Sequence, residues 1–206
     1  MYVYCTNNPI LYWDYSGELV EIMHYKNPNR KYGHVDLNIN GTIYSFAAYG
    51  ESSKTIKGKG KIMIVDKWNY IPVRLANGDN ITGFKINLSL EEEQRLKSVI
   101  DGYIKDAKQY TPQKTEYPGS NFYYGKEEDG LSNYNALGFN CVGFTRKIFA
   151  DANVSLDWWA MPGLFILNYP KPFKYALNNS SSEKVSEGTK YEKSGYTNKN
   201  IVYYLR

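Results

Sequence analysis

The sequence predicts an α+β domain in which an antiparallel sheet packs against two main helices. Three observations predict it. An alternating segment, "GHVDLNINGTIYSF", is closed by a two-residue turn. Two further β-rich runs, "KIMIV" and "TGFKINL", follow it. Two capped amphipathic segments then supply the helices. A chain of 206 residues suits one domain, or one domain with appendages.

In the first segment Val35, Leu37 and Ile39 alternate with His34, Asp36 and Asn38, the period of a strand. Asn40 and Gly41 both tolerate positive φ, so they make the preferred hairpin turn. That turn fixes the register: Ile39 faces Thr42, Leu37 faces Tyr44, Asp36 faces Ser45 and His34 faces Ala47. One face then carries Val35, Leu37, Tyr44 and Phe46, and the other His34, Asp36, Asn38 and Ser45. Residues 61–65 and 82–88 read as strands, with Asn77-Gly78 marking a turn between them.

Ser89 and Glu92 form a capping box ahead of Leu96, Val99, Ile100, Tyr103, Ile104 and Ala107 at helical spacing, which predicts a helix over 90–108. Residues 111–137 show no periodicity and read as a long functional loop. Asn140 is a good cap for a second helix over 140–152, with Cys141, Phe144, Ile148 and Ala152 along one face. "SLDWWAMPGLFIL" (155–167) reads as a short apolar helix or strand. Residues 178–199 are polar and read as flexible, with "IVYYL" returning as a last strand.

The chemistry centres on Cys141. A thiolate in the first turn of a helix feels the positive end of the dipole, which favours the charged, nucleophilic form. Catalysis also needs a base, and His34 is the candidate. A third polar group must hold the imidazole tautomer. Ser45, diagonally across the hairpin, and Asp36, two residues along the strand, are both candidates for that role, on the face that also carries Asn38. The backbone amides of Cys141 and Val142, at the helix start, would form the oxyanion hole. Asn140, Tyr123 and Tyr124 are candidate substrate contacts.

Several classes find no support. No apolar run reaches membrane-spanning length, and the first residues lack the basic start and apolar stretch of a signal peptide. The chain is then either cytosolic or one part of something larger that another system exports. Two histidines and two distant cysteines give no zinc spacing, and "KGKGK" is no phosphate loop, so neither metal nor cofactor is expected. The net charge of +4 permits anionic contacts without demanding them. A nuclease using His24 and His34 as acid and base is one competing function. A non-catalytic binding domain is another. His24 itself, near a turn, reads as a surface residue.

Two resemblances bear on this chemistry. Tyr2, Tyr4, Asn7, Asn8, Pro9, Asp14 and Gly17 resemble the closing end of the core region in Rhs/YD-repeat proteins, which precedes a variable C-terminal toxin. Where that family has Asp-Pro, this chain has Asp14-Tyr15. The order of "YGHVDLNINGTIYSF", "FKINLSLEEEQRLKSVI" and "FNCVGFTRKIFADANV" resembles the circularly permuted, papain-like NlpC-type hydrolases, to which lecithin–retinol acyltransferase-like proteins belong. The resemblances imply three parts: an Rhs-type core end (1–18), a permuted papain-like catalytic domain (19–177) and a polar segment (178–206).

They also imply Cys141 as nucleophile, His34 as base and a polar orienter from the neighbouring strand. The implied activity is a cysteine peptidase, amidase or acyl-transferase serving as a bacterial toxin. Its substrate would be a protein, peptidoglycan or lipid acyl group, with no nucleic acid favoured. It would be delivered or secreted within a larger protein to act in a target cell or its envelope, and a cognate immunity protein is the expected partner.

Overall fold

A computed structural model describes residues 20–29, 33–49, 57–113, 117–156, 184–193 and 203–205. The segment 1–18 and most of 155–167 lie outside the described residues. The strands are β1 (Val20–Lys26), β2 (His34–Ile39), β3 (Thr42–Ala47), β4 (Lys57–Lys59), β5 (Lys61–Asp66), β6 (Asn80–Ile86), β7 (Gln109–Tyr110), β8 (Asn121–Tyr124), β9 (Asn133–Asn135), β10 (Val185–Lys193) and β11 (Tyr203–Leu205). The helices are α1 (Lys67–Ala76), α2 (Leu90–Ile104) and α3 (Cys141–Asp151). Nine strands form one antiparallel sheet in the order β11-β10-β6-β1-β2-β3-β5-β8-β7, while β4 and β9 make a separate ribbon.

The α+β class and antiparallel sheet stand, but a third helix was not expected. Asp66 caps α1, accepting from the amides of Trp68 at 2.8 Å and Asn69 at 3.3 Å. Pro72 sits inside it and removes one intrahelical donor, which is why the segment does not read as a helix. The helices divide between the faces of the sheet. Leu96, Ile100 and Tyr103 of α2 and Phe144, Ile148 and Phe149 of α3 cover Ile22, Leu37, Phe46 and Phe84. Tyr70 and Ile71 of α1 cover Met23, Tyr25, Ile43, Met63 and Ile81 on the opposite face. Apolar burial on both faces is the main stabilising term, at roughly 1.5–3 kcal/mol for each large side chain fully removed from water.

The central strand β1 was also unexpected. Its residues from Val20 to Tyr25 are all buried, because β2 and β6 flank it and apolar clusters cover it above and below. A strand buried on both faces loses the alternation that would reveal it. His24 accordingly lies in the core, 3% exposed, and not at the surface. The polar segment expected to be flexible contains β10, which pairs with β6 and in turn with β11, so the Tyr203–Leu205 part of "IVYYL" returns as a strand. Gly188 is required there, since a Cβ would stand 2.7 Å from Thr82 Cγ2. The long loop over 111–137 carries β8 and β9. Helix α2 has both halves of the expected capping box, Ser89 and Glu92 serving each other's turn, and stops at Ile104.

Candidate active site

Turn chemistry positions the histidine strand. Asn40 and Gly41 both adopt positive φ, at 50° and 79°, and the register runs Ile39↔Thr42, Asn38↔Ile43, Leu37↔Tyr44 as the sequence predicts. The ladder stops there. The expected pairs Asp36–Ser45 and His34–Ala47 are not part of it, while β3 stays paired to β5 through Ala47. The β2–β3 ladder is therefore open at the end that carries His34, Asp36 and Ser45, and α3 packs against these same two strands.

Cys141 reaches that opening through a well-determined helix start. Asn140 is extended (φ −136°, ψ −164°), and its Oδ1 accepts from the amides of Val142 at 3.0 Å and Gly143 at 3.2 Å. Its Nδ2 donates to the Ala136 carbonyl at 3.1 Å. Behind it, Phe139 packs edge-on to Phe46 at 5.6 Å and Phe144 stacks on Phe46 at 5.1 Å, so one buried ring seats both flanks of the cysteine. The loop before it is fixed at Leu131. That carbonyl lies 2.1 Å from where a Cβ on Gly60 would stand and 2.0 Å from one on Gly125, so neither position admits a side chain. Ribbon β4–β9 then carries the chain from this clamp toward Asn140.

Thiol and imidazole meet in the opening. The Cys141 side chain is within hydrogen-bond reach of His34. The Nε2 of His34 lies 2.7 Å from Asp36 Oδ1 and 2.8 Å from Ser45 Oγ. Ser45 Oγ is in turn 2.5 Å from the Tyr49 hydroxyl. Cys141 is 2% exposed and the His34 side chain 16%.

The electrostatics favour a charged imidazole beside a charged carboxylate. Burial alone would lower the His34 pKa, but the Asp36 carboxylate, then the Cys141 sulfur, outweigh it and push it up to about 10. Burial would likewise raise Asp36; the facing imidazolium first, then Arg74 and Ser45, hold its carboxyl below the ordinary value. An imidazolium is thus held in contact with both a carboxylate and the Cys141 sulfur.

The expected site residues thus divide. Cys141, His34, Asp36 and Ser45 come together. Asn38 does not join them, because its Nδ2 donates to Glu21 Oε2 at 2.7 Å. Of the two oxyanion amides, Val142 is engaged by the Asn140 cap, and the Cys141 amide is the one at the first helical position. The carboxamide of Asn140 is spent on the cap and on Ala136, so its role is to aim Cys141. Tyr123 and Tyr124 lie on β8, separated from β2 by β3 and β5, roughly 14 Å at the usual strand spacing. Tyr124 does share the sheet end of His34, through the pairs Lys61↔Tyr124 and Ala47↔Lys61.

Tyr134, whose hydroxyl is raised by burial and by the nearby Cys141 and Asp36, adjoins the site from β9. Its short strand, inside a stretch with no periodicity, gave no signal. His24 and His34 project to opposite faces of the sheet, since Tyr25 pairs with His34 while His24 pairs with Val35. Two histidines so placed cannot share one phosphodiester as acid and base. Among the described residues no three His, Cys, Asp or Glu side chains converge as a metal site would, and no helix is long and apolar enough to cross a membrane. No known protein family, characterised protein or solved structure matches this chain.

Proposed function

We propose that the chain is a cysteine-dependent hydrolase or acyl-transferase with a papain-like permuted order of catalytic elements. The observation that carries this is the His34 imidazole, held by the buried Asp36 and within reach of Cys141. In the reaction, Cys141 Sγ attacks the carbonyl carbon of an amide, ester or thioester. The oxyanion that forms is met by the Cys141 amide. The imidazolium gives its proton to the departing amine, alcohol or thiol, leaving an acyl-thioester. His34, now neutral, takes a proton from water or from a second nucleophile as that attacks the thioester, and thiolate and imidazolium are restored. Peptide, peptidoglycan cross-link, protein glutamine and lipid acyl groups all fit this chemistry. The Rhs-like residues between Tyr2 and Gly17 support its use as a delivered toxin with an immunity partner.

The test is the rate of Cys141 alkylation by iodoacetamide against pH, in a Cys5→Ser background so that one thiol reports. The parent is expected to react well below pH 7, and His34→Ala to lose that low-pH reactivity. A thiol that reacts only above pH 8, indifferent to His34→Ala, would make Cys141 a core residue and end this proposal. Once a substrate is in hand, Cys141→Ala is expected to abolish turnover while leaving the fold intact.

A further inference from the structure

Helix α1 delivers a second set of polar side chains to Asp36. The Tyr70 hydroxyl donates to Asp36 Oδ2 at 2.9 Å, and Arg74 Nη1 donates to that same hydroxyl at 3.0 Å. Arg74 Nε is fixed in turn by Asp79 Oδ2 at 2.5 Å. The guanidinium lies 4.3 Å from the centre of the Tyr25 ring and 5.5 Å from that of Tyr70. Asp36, Tyr70, Arg74 and Asp79 are all buried.

The direction of every proton in this chain is determined. An arginine only donates, so the Tyr70 oxygen must accept from Arg74. Its single proton is then committed to Asp36. That leaves Asp36 needing to be an acceptor on Oδ2, with Oδ1 turned to the imidazole. A buried carboxylate that accepts a directed hydroxyl and lies close to a guanidinium is favoured in its charged form. Removing the hydroxyl takes from Oδ2 a directed donor that favours the charged carboxylate.

We propose that Tyr70 and Arg74 are positioning residues for the Cys141–His34 site: they hold Asp36 ionised and aimed at Nε2, and through it set how readily the thiol–imidazole pair charges. This rests on the catalytic assignment above and adds an α1 helix to it. The groups facing Asp36 are His34 on its own strand, Ser45 on β3, Tyr49 in the turn after β3, Tyr25 on β1, and Tyr70 and Arg74 on α1. Those facing His34 are Asp36, Ser45, Tyr25 and, on α3, Cys141. Tyr134 approaches from β9. Tyr70 combines a proton donated to Asp36 with an arginine donating to its oxygen.

Tyr70→Phe keeps the ring packed against Tyr25 and Tyr117 and deletes only the hydroxyl. In the Cys5→Ser protein, its Cys141 alkylation profile is expected to move to higher pH. The rate at pH 6 should fall on the order of tenfold, the scale of one hydrogen bond to a charged group. The imidazole titration, followed by NMR, is expected to fall with it. An unchanged pH profile in a folded Tyr70→Phe protein would overturn the proposal and leave Tyr70 a packing residue. If Tyr70→Phe does not fold, Arg74→Lys decides by the same two readouts, with a smaller shift in the same direction expected and no shift overturning it. A parent protein lacking any His34-dependent reactivity would instead fail the catalytic assignment itself, so the two failures are told apart in one series.

Discussion

Strand β2 feeds two buried polar clusters from neighbouring positions on one face, and they differ in kind. At its start, Asp36 joins His34, Ser45, Tyr70 and Cys141. Two residues on, Asn38 joins Glu21, Lys67 and Tyr191. There Glu21 Oε2 accepts from Lys67 Nζ at 2.6 Å and from Asn38 at 2.7 Å, while Oε1 accepts from the Tyr191 hydroxyl at 2.7 Å. Lys67 Nζ also reaches that hydroxyl at 2.9 Å. This second cluster ties β1, β2, α1 and β10 together, and charge within it is cancelled by direct contact. The first cluster runs from Asp79 through Arg74, Tyr70 and Asp36 to end on an imidazole and a thiol. Burial and polarity are common to both. What separates the second, a lock, from the first is that one end of the first is a thiol beside an imidazole.

Breaking the lock should give the largest change in stability. Lys67→Met leaves the Glu21 carboxylate buried without its cation, which costs about 3–5 kcal/mol in comparable cases. Urea denaturation is expected to show that loss, and the Glu21→Gln, Lys67→Met double variant to recover most of it, since the buried charge is then gone. Alkylation of Cys141 in the folded fraction should keep the parent's pH profile. If the lock variant shifted that profile, the two clusters would be one network.

The corresponding break in the site is Asp36→Asn. The imidazolium loses its charged neighbour, and the rate of Cys141 alkylation at pH 6 is expected to drop roughly ten- to a hundredfold, as for a charge-assisted hydrogen bond. Its stability cost should be smaller than that of Lys67→Met, because an amide at position 36 still accepts from Tyr70.

Stability against pH sharpens the contrast with sign. His34 titrates at about 10 when folded, above the ordinary value of 6.5, so the folded state holds this proton more tightly. Its contribution is complete below pH 6.5 and drains as pH climbs from there through about 10. Asp36 is displaced downward, so its contribution is present above the unfolded carboxyl value and lost as pH falls through the folded one. Urea midpoints measured from pH 6 to 10 should decline in the parent and flatten in His34→Ala. A decline of equal steepness in both would assign the alkaline loss to another group.

How much of this the sequence carried depends on how local each signal was. The Asn40-Gly41 turn and the alternation around it were enough to put His34, Asp36 and Ser45 on one face. Asn140 was enough to start a helix at Cys141. Capping and turn chemistry act within a few residues, so they survive in a sequence read alone. The open end of the β2–β3 ladder, where the thiol meets the imidazole, was not legible, since it depends on where α3 packs. Nor was α1, whose Pro72 argues against a helix while Asp66 and the packing of Tyr70 and Ile71 outweigh it. With α1 missed, Tyr70 and Arg74 had no route to Asp36. The choice between Asn38 and its strand neighbours needed Glu21, on a β1 strand whose two-sided burial erased its alternation.

The smallest effect bears on which group orients the imidazole, for Ser45 and Asp36 both contact Nε2, at 2.8 and 2.7 Å. A carboxylate stabilises an imidazolium through charge as well as geometry, whereas a hydroxyl offers a neutral dipole that Tyr49 also shares. Ser45→Ala should therefore lower the pH 6 alkylation rate by only about two- to tenfold, the scale of one hydrogen bond whose loss leaves the ion pair in place. The midpoint should move much less than in Asp36→Asn, because Asp36 keeps its charge beside His34 and Arg74. Asp36→Asn should move the midpoint. If Ser45→Ala moves it as far as Asp36→Asn does, the hydroxyl is the orienter, and Asp36 serves chiefly to hold the hydroxyl in place.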